Sequence, residues 1–491
     1  MKRRQFVGAG LSLAAAWPLR GFTAVLKNVG DVAAKSLDGA DLTLPGSTVE
    51  AFAASLRGDV LMPGTGEYDA RRRVWNAMFD RKPALIVCCT GAADVQAAVN
   101  FAREHQLLTA VRAGGHSFSG KSTCEGGLVI DLQSMQGVRV DPSAKRAHVE
   151  SGSMLGLLDH ECAAHDLVVP AGIVSHTGAA GLTLGGGFGR LGRRFGLSCD
   201  NVESFDIVTA DGKFQRASAR ENTALFWGLR GGGGNFGVVT SIEYRAHEMN
   251  PVILGGYLGW PIAKARDVMR YYRDLLPTLP ESMWIELALI WGDKGANVAM
   301  EVCCSGDHAQ AESLLKPLRA FAKPAYDDIA PIRHVDMQTY SDESLANGKF
   351  YYAKNAFLRG LSDYDIDLVL DVFRREPNLF ILFFDPCDGA YQRVPPDATA
   401  FPNRDAMYWL GLVAKWDSRD GTDAKIAKIR AAWRELEPMA RGFYTNLADA
   451  DETTKAYRDN YGANFERLVG LKSRYDPMNL FRLNANVPPA I

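Results

Sequence analysis

The sequence has little of what most specialised protein classes need. Neither sign of charge is in excess: 55 Lys and Arg stand against 57 Asp and Glu, a formal net charge of −2. No overall basic field is available to hold nucleic acid or an anionic membrane surface. The eight cysteines, Cys88, Cys89, Cys124, Cys162, Cys199, Cys303, Cys304 and Cys387, show no paired C-x2-C spacing, so no zinc site is expected and most read as buried small apolar residues. Repeats and low-complexity stretches are absent. The weakly apolar N-terminal run ends at Ala16, too short to cross a bilayer, and no stable membrane insertion is expected. What these absences leave is a small-molecule partner.

The chain does have length. Its 491 residues are about three times the usual ~150 per domain, which predicts two substantial lobes. With 47% hydrophobic and 23% charged residues it can build a sizeable core. Glycine alone departs from the average: 48 residues are ~10% against a usual ~7%, and they cluster, which means backbone lying close to something.

Residues 1–24 open Met1-Lys2-Arg3-Arg4-Gln5-Phe6 ahead of the short apolar run. Adjacent arginines there suit twin-arginine export, a route for folded, cofactor-loaded proteins, and predict a periplasmic or secreted protein. Pro83 to Thr90, the helical spacing of Val95, Ala98, Val99 and Ala102, and Leu107 to Val111 predict a strand, helix, strand unit. Asp211-Gly212 between Phe205 to Thr209 and Lys213 to Arg216 predicts a hairpin, and Val238 to Tyr244 a strand. From Pro251 a second lobe is predicted, with strands at Met283 to Trp291, Val298 to Cys304, Leu379 to Phe384 and Met407 to Trp416, and helices near 262–275, 307–321, 362–375 and 422–438. A helical tail, Tyr457 to Leu471, precedes an extended terminus.

Two nucleotide motifs occur in the wrong context. Gly115 to Ser122 satisfies GxxxxGK[ST], yet Thr123 to Ile130 reads as loop and strand where a P-loop must open a helix, so an NTPase is a remote alternative. Gly232, Gly234 and Gly237 satisfy GxGxxG, but here a helix precedes and a strand follows, the reverse of a Rossmann fingerprint. What remains is three Gly-rich loops, 111–120, 177–187 and 230–237, with apolar flanks. Backbone amides freed of side chains form anion-binding nests, which suits a long ligand carrying a pyrophosphate.

V-R-A-G-G-H-S-F-S-G, G-L-T-L-G-G-G-F-G, R-G-G-G-G-N-F-G-V-V-T, Y-G-A-N-F-E-R-L and Y-D-P-M-N-L-F-R-L-N-A-N together resemble the FAD-linked oxidases of the berberine bridge enzyme-like group, in the vanillyl-alcohol oxidase superfamily. The likeness covers roughly 80–250 and 397–489. It implies an α+β fold: a PCMH-type FAD-binding domain of two α+β subdomains at 45–250, a substrate domain with an antiparallel sheet covered by helices at 251–443, and a C-terminal segment, 444–491, returning to the FAD domain. It also implies that His116 is joined covalently to the flavin 8α-methyl carbon. By the same resemblance Arg112, Ala113, Gly114, Gly115, Ser117 and Gly120 wrap the pyrophosphate, and Thr177, Gly178 and Gly181 line the flavin. Asn201, Gly237 and Val239 would stand on the adenylate side, with Asn484 and Asn486 closing from the tail. Many members carry a second flavin link through a Cys in a G-x-C run; here the run is Gly172-Ile173-Val174, so a single histidyl link is expected.

The resemblance implies hydride transfer from an alcohol, sugar or amine carbon to the flavin, which needs a base for the departing proton. Tyr444-Thr445-Asn446 occupies the place of the group's Y-x-N motif, making Tyr444 the candidate base and Asn446 its hydrogen-bond partner. A strand would instead put Phe443 and Tyr444 on opposite faces, as packing residues. His176, beside the second loop, is a third catalytic candidate that orients substrate or bonds the loop. Tyr351, Tyr352 and Tyr391 are candidate pocket aromatics, with core packing the other reading for each. The small Ala179 after Gly178 suits molecular oxygen as acceptor, with peroxide released; a dehydrogenase using another acceptor and a non-catalytic flavin binder are the alternatives.

Overall fold

The apolar runs Leu85–Cys88, Thr109–Arg112 and Leu128–Asp131 become parallel strands, with Leu128–Asp131 between the other two. Strands covered on both faces are continuous hydrophobic runs, and Leu85, Ile86, Val87, Leu128 and Ile130 are fully buried. The helix Ala92–Glu104 makes the crossover and buries Val95, Ala98, Val99 and Ala102, the face the spacing predicts. The computed structural model describes residues 26–293 and 295–490, so the export signal expected in residues 1–24 lies outside the described residues. The lobe built on this sheet takes in residues before 45 as well. The hairpin Val32–Lys35 with Asp41–Leu44 joins it, Lys35 N–H donating to Gly126 O at 2.8 Å, because Ala34 and Leu44 need that core for burial.

A second, antiparallel sheet runs Phe214–Ser218, Val202–Thr209, Gly237–Arg245, Arg146–Glu150, Val138–Asp141. The Asp211-Gly212 hairpin is where the dipeptide places it. No helix follows Gly120-Lys121-Ser122; the chain turns directly into Leu128–Asp131. Lys121 Nζ donates instead to the Tyr457 hydroxyl at 2.8 Å, tying this loop to the C-terminal helix Thr454–Tyr461.

The second lobe is a large antiparallel sheet whose central strands run Val252–Pro261, Gly295–Cys304, Met283–Gly292, Ile381–Pro386, Tyr408–Trp416, Phe350–Leu358. Ala265–Leu275, His308–Phe321, Asp363–Arg375 and Thr422–Leu436 supply the helices, matching the four predicted ones. Apolar alternation makes one sheet face the core: Met283, Ile285, Leu287 and Leu289 are all fully buried. The opposite face turns toward the Gly loops. Two of this lobe's long strands escape the sequence reading, Val252–Pro261 and Phe350–Leu358. The tail, through helix Phe465–Tyr475, packs Leu468, Leu471 and Val487 into the core of the antiparallel five-stranded sheet. Among the described residues no helix is long and apolar enough to cross a membrane. All eight cysteines are buried and free.

Candidate active site

His116 is presented by the loop that leaves Thr109–Arg112. Its imidazole stacks on Trp75 (ring centroids 4.1 Å, 18° between planes), and Trp75 stacks in turn on Tyr351 of the substrate sheet (3.8 Å, 13°). Trp75 is locked by its indole N–H on Leu345 O at 2.7 Å. Asn76 clamps both lobes: its amide donates to Phe118 O (2.8 Å) and Tyr351 O (2.9 Å) while Tyr351 N–H donates back to its Oδ1 (3.0 Å). Burial, with His176 nearby, pushes His116 down to about 3, so the ring is neutral at working pH. In the same loop Arg112 is buried with its Nη1 on Arg71 O. Ser117 Oγ accepts Lys121 N–H at 3.2 Å, Gly115 O accepts Trp75 N–H at 3.1 Å, Ala113 packs toward the antiparallel sheet's core, and Gly120 lies flat on the Phe79 ring.

The second loop abuts the first. A Cβ on Gly178 would lie 2.5 Å from Gly114 N, and one on Gly114 2.5 Å from Gly178 N. Both neighbours are backbone and cannot swing aside. Gly178→Ala is therefore expected to spread the two loops and lower the flavin content of purified protein; an unchanged ratio of flavin to protein absorbance would refute it. Thr177 O accepts Leu155 N–H at 2.9 Å, fixing the loop's approach. Gly181 faces open space, with nothing within 4 Å of its Cβ position.

The third loop receives the tail. Asn235 donates to Ala485 O (3.0 Å) and accepts Val487 N–H (3.0 Å), and Asn484 donates to Gly234 O (3.1 Å). Asn484 and Asn486 thus reach the third loop's end of the sheet, as does Gly237, which pairs with Thr209. Val239 is a buried core residue two places on. Asn201 is not brought to them. Its amide donates to Phe195 O and Leu197 O, both 2.9 Å, and its Oδ1 meets His247 Nε2 at 2.7 Å. It adjoins Val202, which pairs with Tyr244 at the far end of the strand pair from Thr209, roughly 20 Å away at ~3.3 Å per residue. A sequence motif cannot reveal that an Asn is already saturated.

Tyr444 is not in a strand; it caps the short 3-10 turn Thr445–Leu447. Asn355 of Phe350–Leu358 holds it there, its Oδ1 accepting both Tyr444 N–H (2.7 Å) and the Trp409 indole N–H (3.1 Å). The ring is packed edge-on by Phe188 (5.0 Å) and Trp409 (4.9 Å). Its hydroxyl oxygen accepts Gly187 N–H at 3.0 Å and Asn446 Nδ2–H at 2.8 Å. Asn446 also donates to Leu182 O at 2.9 Å, and it sits where Gly185 has no side chain to collide with it. Burial pushes the phenol up; the two donors pull it back by favouring the phenolate. Phe118 of the first loop packs on this same aromatic cluster, joining the two halves of the site. Tyr352 and Tyr391 spend their hydroxyls on Asp449 Oδ2 (2.9 Å) and Asn403 O (2.6 Å), as core residues do.

Sequence reading missed a row across the sheet. Tyr257, Glu301 and Glu286 pair laterally, and Asp385 pairs with Trp409. Glu301 is held by buried Arg190 at 2.6 Å and Asp385 by the Trp284 indole N–H at 2.9 Å. Burial and the neighbouring carboxyls push Glu286 well up, and burial raises Asp385 to about 7. Only strand register, which no local motif encodes, brings these carboxyls together.

Whether the loops fit FAD is decided by what the protein leaves unpaired. Buried polar atoms are normally satisfied, yet His116 Nε2, both nitrogens of His176, Ser153 Oγ, and the side-chain oxygens of Asn484 and Asn486 have no partner. They lie in or against the three Gly loops and the tail. A long ligand with pyrophosphate, ribityl hydroxyls and a ring bearing donors and acceptors fits that set.

Residues 83–218 match a family model described as FAD binding domain, and residues 443–488 one described as Berberine and berberine like. A FAD-linked oxidoreductase of Dictyostelium discoideum is 31% identical over 446 residues, covering 90% of this chain and 97% of its own. The (R)-6-hydroxynicotine oxidase of Paenarthrobacter nicotinovorans is 28% identical over 458 residues, covering 89% and 97%. The crystal structure of 6-hydroxy-D-nicotine oxidase from Arthrobacter nicotinovorans superposes with a TM-score of 0.82 at 27% identity, over 89% of this chain and 99% of that one.

Proposed function

Because the chain belongs to the berberine bridge enzyme-like FAD-linked oxidoreductases, we propose that it is an exported oxidase removing a hydride from an alcohol, sugar or amine carbon of a small molecule, with oxygen as acceptor and hydrogen peroxide as product. Bound FAD supplies the two-electron acceptor that side chains lack. The observation that carries the reading is the Tyr444 hydroxyl, which two protein donors approach. Two donors on a phenol oxygen stabilise the negative charge that develops there as its proton and the substrate's move together, the role of a general base. Phe188 and Trp409 keep water from it. The orphaned nitrogens of His176 are kept for use beside His116, and Asn446 is the residue that holds Tyr444. The test is anaerobic: alcohols, sugars and amines are screened for loss of flavin absorbance, and the hit is then run in an oxygen electrode. Reduction by a substrate without oxygen uptake makes the enzyme a dehydrogenase; reduction by none makes it a flavin-binding protein.

The flavin is proposed to be held by one bond, at His116. Val174 is buried and carries no thiol, and burial pushes the Cys199 thiol far up, away from the reactive thiolate. Acid precipitation should leave yellow colour in the pellet, and His116→Ala should release it. Peptide mapping should find flavin mass only on the peptide containing His116; flavin on any Cys peptide contradicts this.

A further inference from the structure

His176 and His116 meet with ring centroids 5.1 Å apart, tilted by 36°. Their free nitrogens are unusual for buried groups: His116 Nε2 and both His176 nitrogens have no hydrogen-bond partner, whereas buried polar atoms are normally satisfied. The surroundings fix the His116 ring and the backbone on either side of His176. Trp75 covers one face of His116 and cannot exchange a proton with it, because indole is a donor only and its N–H is engaged with Leu345 O. On the other side the backbone flanking His176 is pinned from both lobes. Ser175 N–H and Oγ–H donate to Asp342 at 2.8 and 2.5 Å, and Thr177 O accepts Leu155 N–H at 2.9 Å. Of the rings packed on His116, His176 is the one that offers a lone pair.

We propose that His176 accepts the ring proton of His116 and so makes it the nucleophile that attaches FAD to this chain. The proposal rests on the reading that His116 carries covalent flavin. In the attachment the N–H of His116 and one C–H of the flavin 8α-methyl group break, and one N–C bond forms. The two electrons and two protons released reduce dioxygen to hydrogen peroxide, once per protein molecule. His176 carries the His116 proton on its way and ends unchanged. A neutral imidazole is a weak nucleophile while it keeps its N–H, so a neighbouring base that removes it accelerates the step by about 10²- to 10⁴-fold. His116, held neutral by burial, has that proton to give.

The test follows the bond, not turnover. His176→Ala and His176→Asn are purified, loaded with excess FAD in air, and sampled over time for acid-stable flavin by in-gel fluorescence and mass. Both variants should bind FAD that acid releases and attach it at least ~10²-fold more slowly than wild type. Added imidazole should restore attachment in His176→Ala, where a methyl leaves room for it; a purely structural loss would not be restored. His176→Asn, which keeps a polar group of similar reach, decides the matter if the Ala variant does not fold. Attachment within threefold of wild type in either variant, or slow attachment in His176→Ala that imidazole leaves unchanged, overturns the role of His176. Acid-released flavin in the wild type overturns the reading of His116 itself, and the proposal with it.

Discussion

Replacing Tyr444 by Phe is expected to slow anaerobic flavin reduction by ~10²- to 10⁴-fold, the usual contribution of a general base. Phe keeps the ring that Phe188 and Trp409 pack against and removes only the oxygen. Burial raises the phenol above its ordinary ~10, so at pH 7 the hydroxyl is protonated, and it helps only by giving up its proton as the substrate's departs. The Gly187 and Asn446 donors make that possible by stabilising the charge that develops on oxygen. Removing the oxygen strands Gly187 N–H, a loss of about 1–3 kcal/mol in stability, so reduction is compared at full flavin loading. Asn446→Leu, which removes one donor, should fall between wild type and Tyr444→Phe. Stopped-flow reduction of Tyr444→Phe within about threefold of wild type, under ~0.7 kcal/mol, would make Tyr444 a packing residue and send the search to Asp385 and Glu286.

The largest stability effect is expected at Lys472. Its ammonium is fully buried in the helix Phe465–Tyr475 and donates to Asn235 O (2.9 Å), Phe481 O (2.9 Å) and Asp476 Oδ2 (2.7 Å). Its three protons thus have three acceptors. Asp476 in turn accepts Leu480 N–H at 2.8 Å and Phe481 N–H at 2.9 Å. Lys472→Met leaves an uncompensated carboxylate in the interior and should cost about 3–5 kcal/mol. Because Asn235 belongs to the third Gly loop, the same change should loosen bound flavin. The double variant Lys472→Met/Asp476→Leu, which removes both charges, should recover much of the stability. Chemical denaturation showing less than about 1 kcal/mol lost in the single variant would refute the assignment.

The strands that announce themselves in this chain are those without interruption, such as Leu85–Cys88 and Met283–Gly292. Val252–Pro261 carries Gly255, Gly256 and Gly259, which weaken any local strand signal. In the fold they make room for the Met337 sulfur, the Asp328–Ile329 backbone and the Tyr326 ring, partners that lie far along the chain. Phe350–Leu358 was illegible for the opposite reason: Lys354 and Asn355 interrupt an apolar run, and their purpose, Asp449 for one and the Tyr444 backbone for the other, lies almost a hundred residues away. The site divides in the same way. His116, Gly114, Gly178 and Asn484 stand in local patterns whose spacing carries their meaning. Trp75, Asn76 and the carboxyl row act through register and stacking across lobes, and Asn201 carries the motif but is spent elsewhere.

The third Gly loop is shut by residues from the far end of the lobe. Asn484, Ala485 and Val487 close on Gly234 and Asn235, some 250 residues earlier in the chain. The third Gly loop is therefore completed by a segment that is remote along the chain, so its closed shape depends on the fold of the whole lobe and not on the loop's own glycines.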